Sequence, residues 1–157
     1  RYKDFGSALH IQLDDKLPAN TEFNLVINYT TLKQGVAVQW LEPIQTAGKK
    51  YPYLFTHCHP VNLQKFISHI SHISHSFPYH TPAIKLSYNA IIQVPQPLRA
   101  LMSAIEVCEE LNLEANTKIY KFKQTVKIPS YLIALAIGNL VGEKIGPRST
   151  VWSEPEV

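Results

Sequence analysis

The sequence predicts a mainly β domain built from antiparallel strands. Three observations carry this expectation. Apolar side chains recur at every second position in several separate runs, which is the period of a half-buried strand. Pro outnumbers Gly, 11 to 6, and charged residues make up only 17% of the chain, against about 25% in ordinary soluble domains. No regular alternation of strand and helix is visible, so a parallel α/β sheet is not expected.

The elements follow in order. Residues 7–13 place Leu9, Ile11 and Leu13 on one side. After a turn at Leu17-Pro18-Ala19-Asn20, residues 21–31 repeat the pattern with Phe23, Leu25, Ile27 and Tyr29 inward, and the two strands are expected to pair as a hairpin. A third strand runs from Gly35 to Leu41 and stops at Pro43, and residues 42–52 read as loop. The longest alternation spans residues 83–94, from Ile84 through Tyr88 to Val94, and ends at Pro95 and Pro97. Residues 118–126 alternate again. The apolar run 131–141 fits a central strand or a short buried helix, and Pro129 and Gly138 favour the strand. Leu98, Leu101, Met102, Ile105, Cys108 and Leu111 fall at spacings of three and four, which predicts one helix over 98–113 with Glu106, Glu109 and Glu110 on its wet side.

With 157 residues and 45% apolar content, the chain is expected to form a single domain, residues 1–157, with a core of its own. The net charge is +3 and no basic block tracks a phosphate backbone, so nucleic acid is not an expected partner. No apolar run approaches the roughly 20 residues of a membrane span. Two cysteines, Cys58 and Cys108, read as free thiols of a reducing compartment, and a cytoplasmic location follows.

Six of the seven histidines lie between His57 and His80, within which residues 68–75 form a Ser-His-Ile repeat. On a strand, His57 and His59 share a face and could offer two imidazoles to a metal. On a helix, His69, His72 and His75 drift by about 60° per step, so two rings could share an ion while the third splays. No Asp or Glu occurs between Tyr51 and Leu98 to complete such a set. A polar surface loop is the better reading, and no metal ligand is assigned. Cys58 between two histidines is not a catalytic pair, since neighbours in an extended chain face opposite ways. Gly-x-Ser-x-Gly, a phosphate-binding Gly loop and His-Glu-x-x-His are all missing, so no catalytic residue is assigned either.

The stretch from Gln39-Trp40-Leu41 through Gln45-Thr46-Ala47-Gly48-Lys49 to Pro52-Tyr53-Leu54-Phe55 resembles the leukotriene A4 hydrolase branch of the zinc aminopeptidases, peptidase family M1. In the same order follow Leu101-Met102-Ser103-Ala104, Ile119-Tyr120-Lys121-Phe122, Ile128-Pro129-Ser130-Tyr131-Leu132-Ile133-Ala134-Leu135, Ile145-Gly146-Pro147-Arg148 and Val151-Trp152-Ser153-Glu154. The resemblance covers most of the chain from about Val36 onward. It implies a curved, saddle-like antiparallel sheet of the family's N-terminal domain type. It also revises the helix: the Leu-Met-Ser-Ala segment becomes a strand, followed by a Glu-rich turn or short helix.

The resemblance further implies that zinc is bound outside this chain, by a downstream domain carrying His-Glu-x-x-His and a later Glu. There the motif's Glu activates water and a Tyr stabilises the oxyanion. This domain would supply one wall of the cleft, where the family's two glutamines approach a peptide substrate. His57 and His59 stand at those positions and are the substrate-binding candidates. The family's Phe-Pro-Cys-x-Asp-Thr-Pro appears as Phe77-Pro78-Tyr79-His80-Thr81-Pro82, without the Cys and Asp. The missing initiator Met and the end ahead of the zinc motif predict a fragment, inactive alone and prone to self-association. The alternatives are a stand-alone, non-catalytic β interaction module and, last, a small metal-binding protein.

Overall fold

A computed structural model of the chain describes residues 38–57 and 85–157, together with Pro18, Thr21, residues 24–28 and Thr30. The described residues form nine strands: β1 (Val38–Leu41), β2 (Tyr53–Thr56), β3 (Lys85–Pro95), β4 (Arg99–Met102), β5 (Ile105–Asn112), β6 (Thr117–Pro129), β7 (Leu135–Gly138), β8 (Val141–Gly146) and β9 (Ser149–Ser153). Every pairing is antiparallel. A four-stranded sheet has the order β1-β2-β7-β4, a three-stranded sheet the order β3-β6-β5, and β8 and β9 form a hairpin of their own.

The core lies where the two larger sheets meet. Along β3, Leu86, Tyr88, Ala90 and Val94 are buried, while Asn89, Ile91 and Gln93 on the other face are exposed. Their cross-strand neighbours on β6 obey the same period: Ala90 sits opposite Phe122 and Ile92 opposite Tyr120. From the four-stranded sheet, Val38, Leu54, Ala100 and Leu135 join the same cluster, and Ile133 is fully buried beside them. Removing these faces from water, at roughly 25 cal/mol per Å² of apolar area, is the main force holding the sheets together.

The strands expected over 83–94 and 118–126 appear as β3 and β6, and the end of the strand expected over 35–41 appears as β1. The helix expected over 98–113 is absent. Instead β4 and β5 occupy it, so the Glu-rich piece is also strand rather than a turn or short helix. Its helical spacing has a local cause. The β5–β6 register shifts between Glu106 and Cys108, so Ile105 and Cys108, opposite Lys123 and Lys121, point the same way although three residues apart. The run 131–141 is not one strand: a 3-10 turn at Ser130–Leu132 precedes β7, and β8 begins only at Val141.

The strand expected over 21–31 is not seen at its described positions. Residues 24–28 carry no regular structure, and Leu25 and Ile27, expected inward, are 41% and 40% exposed against 78% for Val26 between them. The alternation survives in those values, but the partner segment 7–13 lies outside the described residues. So does the Ser-His-Ile repeat. No helix among the described residues is long and apolar enough to cross a membrane.

Candidate functional site

His57 follows directly on β2, which runs between β1 and β7 and is therefore hydrogen-bonded on both sides. Leu54 points into the core. Tyr53 and Phe55 point to the opposite face, with ring centroids 5.9 Å apart. The end of the strand is fixed by Thr56, whose hydroxyl oxygen accepts the Leu135 N–H at 2.9 Å. His57 is exposed at this anchored end. Its companion candidate His59, like Cys58, lies outside the described residues. Cys108 is a free thiol.

The loop before β2 is equally constrained. Glu42 N–H donates to Gln45 Oε1 at 2.9 Å, and Gln45 N–H donates back to Glu42 O at 2.8 Å, which closes a short 3-10 turn over Pro43–Gln45. Thr46 is buried, and its hydroxyl lies 2.8 Å from Pro43 O and 3.1 Å from Tyr51 O. The next amide, Ala47 N–H, donates to Glu154 Oε2 at 2.6 Å, joining this loop to the chain just beyond β9.

A charged cluster lies on the side of the core facing the hairpin. Arg99 Nη2 reaches both carboxylate oxygens of Glu106, at 2.8 and 3.0 Å, and Nη1 reaches Glu109 at 2.9 Å. The guanidinium lies near two rings, 5.2 Å from the Tyr120 centroid and 4.7 Å from that of Trp152. Glu109 also binds Lys118 Nζ at 3.0 Å and receives the Tyr120 hydroxyl at 3.1 Å. Partial burial pushes the Glu109 carboxyl up, but the hydrogen bonds from Lys118 and Tyr120 and the charges of Lys118 and Arg99 together outweigh it. It therefore ionises below the usual glutamate range. Burial, then the hydrogen bond to Glu109, raises Tyr120. Glu109 and Glu110 are thus not one solvated face: Glu110 points the other way and pairs with Lys121.

Among the described residues, no group of three or more His, Cys, Asp or Glu side chains stands close enough to hold a metal ion. What they do form is an interior strand, β2, with the exposed His57 at its end.

Residues 2–132 match the Peptidase M1 N-terminal domain. The chain belongs to that family. Over 155 residues it is 41% identical to leukotriene A-4 hydrolase of Xenopus laevis, covering 97% of this chain and 24% of the relative. It is 38% identical to aminopeptidase B of Mus musculus, covering 98% of this chain and 21% of the relative. Native leukotriene A4 hydrolase from Saccharomyces cerevisiae shares the fold, with a TM-score of 0.59 and 35% identity over 80% of this chain and 17% of that one. A yeast leukotriene A4 hydrolase solved with bestatin gives 0.60 and 36% over the same shares. This M1 N-terminal domain spans less than a quarter of the length of those relatives.

Placed in that family, β2 is the strand of the Pro-Tyr-Leu-Phe stretch, and His57 is its first residue beyond the ladder. The contacts of Arg99 with Trp152 and of Glu154 with Ala47 were not assigned from sequence. Their one signal was that Gln45-Thr46-Ala47-Gly48-Lys49 and Trp152-Ser153-Glu154 both belong to the resembling segments.

Proposed function

We propose that this M1 N-terminal domain forms one wall of the substrate cleft of a cytoplasmic zinc aminopeptidase whose catalytic domain lies downstream in the same protein. The supporting observation is the extent of the alignment: leukotriene A-4 hydrolase and aminopeptidase B match 97% and 98% of this chain with only 24% and 21% of their own length. A stand-alone interaction module is less well supported, because the match to enzymes runs across nearly the whole chain.

In this reading the substrate is a peptide with a free N-terminus, and epoxide hydrolysis is a second activity to be tested. In the same reading the metal and its activated water belong to the downstream domain; among the described residues no group of three or more His, Cys, Asp or Glu side chains could hold a zinc ion. This chain's own part is to bind and orient. His57, held at the end of β2 by the Thr56 contact, and His59 beyond it, present imidazoles where the family places glutamines. A neutral imidazole offers one N–H donor and one acceptor nitrogen on opposite sides of the ring, whereas a primary amide offers two N–H donors and an acceptor oxygen on one carbon.

The test is aminoacyl-anilide hydrolysis by the full-length protein and by residues 1–157. The expected result is chelator-sensitive cleavage, restored by zinc, in the full-length protein and none in the shorter chain. Chelator-sensitive cleavage by the 157-residue chain, or an inert full-length protein after zinc loading, would overturn the proposal.

A further inference from the structure

The β8–β9 hairpin shares no hydrogen-bonded ladder with either larger sheet among the described residues. Residues 141–145 and 149–152 are all exposed, and Trp152, at 36%, is the least exposed of the hairpin's large apolar side chains. A lone two-stranded hairpin is at best marginally stable in water, so its position depends on side-chain anchors. Two such anchors are present, one at each end of a short path.

The first is Trp152. Its ring packs over Gly142 on the opposite strand, where a Cβ would come within 2.9 Å of it. Its other partner is the Arg99 guanidinium, 4.7 Å from the ring centroid. Arg99 is itself immobilised by Glu106, Glu109 and the Tyr120 ring. A planar fork with two aromatic neighbours and both Nη groups engaged suits arginine and not lysine. The second anchor is Glu154, immediately after β9, which accepts the Ala47 N–H at 2.6 Å. Beside it a Cβ on Gly48 would lie 2.7 Å from the Glu156 carboxylate, so the tail packs against bare loop backbone. The same loop leads into β2 and His57.

We infer that the β8–β9 hairpin is a latch: Arg99 holds it to the body through Trp152, and its Glu154 holds the loop that feeds β2. Arg99 and Glu154 are therefore positioning residues for the cleft wall, far apart in sequence from the strand they steady. The consequence for substrate rests on the function proposed above. The latch itself does not.

Amide hydrogen exchange on the full-length protein tests it, with Arg99→Leu, Arg99→Lys, Trp152→Leu and Glu154→Ala compared to wild type. Each substitution is expected to speed exchange in residues 43–52 about tenfold or more while β3 and β6 keep their protection, because local opening is released without global unfolding. Arg99→Lys should resemble Arg99→Leu. Unchanged loop exchange in both Arg99→Leu and Trp152→Leu would overturn the latch. If Arg99→Leu loosens the whole domain, Trp152→Leu decides alone, since it leaves the Arg99 ion pairs in place. Aminoacyl-anilide kinetics on the same variants separate the two claims. A raised KM with kcat kept supports both, and faster loop exchange with KM unchanged keeps the latch and removes the cleft-wall role.

Discussion

The Tyr88 hydroxyl donates to the Ser103 carbonyl oxygen at 3.0 Å, tying the three-stranded sheet to the turn that leads out of the four-stranded one. Gln124 Nε2 donates to the same carbonyl at 3.0 Å. The Ser103 hydroxyl lies 3.1 Å from Tyr88 Oη and accepts the Ala134 N–H at 2.8 Å, while Ser103 N–H donates to Ala134 O at 3.0 Å. One serine thus receives strands from both sheets. Burial, opposed by the Ser103 hydrogen bond, raises the Tyr88 phenol and keeps it a donor.

Ser103→Ala should therefore destabilise the fold more than a surface serine would. It strips an acceptor from the Ala134 N–H and a partner from Tyr88, at a cost of about 0.5–1.5 kcal/mol. Urea unfolding checks this. A midpoint equal to that of wild type would show that water replaces the hydroxyl at no cost.

Glu109 predicts the acid limb of stability. Its folded carboxyl ionises below the usual glutamate value, so its contribution is full above about pH 4.3 and is lost as the pH falls through the depressed value. Because the side chain is 34% exposed, screening limits the contribution to about 1 kcal/mol or less. Glu109→Gln should flatten the stability profile below about pH 4.3, the ordinary glutamate value. Tyr120 works in the opposite sense: its raised phenol contributes below about pH 10, and the contribution fades as pH rises through the folded value. Equal acid limbs in wild type and Glu109→Gln would contradict the assignment.

The strands most legible in the sequence were those with one buried face. β3 and β6 carry unbroken alternation apart from one register shift near Ser87, and both were found from it. β5 was misread because a bulge and a nearly all-exposed strand leave no period of two to detect. The fold class needed only the strand pattern. The role proposed for β2 needed the resemblance, since Tyr53-Leu54-Phe55 alone is merely a short apolar strand. Arg99 was not legible at all. Its partners come from β5, β6 and β9, and only the closed tertiary structure brings them together.

Thr56→Val keeps the shape of the side chain and removes the oxygen that accepts the Leu135 N–H. The orphaned amide should cost about 1–2 kcal/mol. Faster exchange at Leu135 is the expected companion, since the β2–β7 ladder loses its fixed end. Unchanged Leu135 exchange would show that another acceptor takes over.

His57→Gln places at the end of β2 the amide that the proposed function expects at this position of the cleft wall. A primary amide carries one N–H donor more than a neutral imidazole, and a single added hydrogen bond to a peptide backbone gains about 0.5–1.5 kcal/mol. In the full-length protein this predicts a kcat/KM for aminoacyl-anilides raised by about two- to tenfold, appearing mainly as a lower KM. His57→Ala should move the same parameter the other way. The exchange of residues 43–52 should stay at the wild-type level in both variants, because neither substitution touches Glu154 or Trp152. If both variants match wild type in KM and kcat, the β2 terminus does not meet substrate, and the wall role of this strand fails.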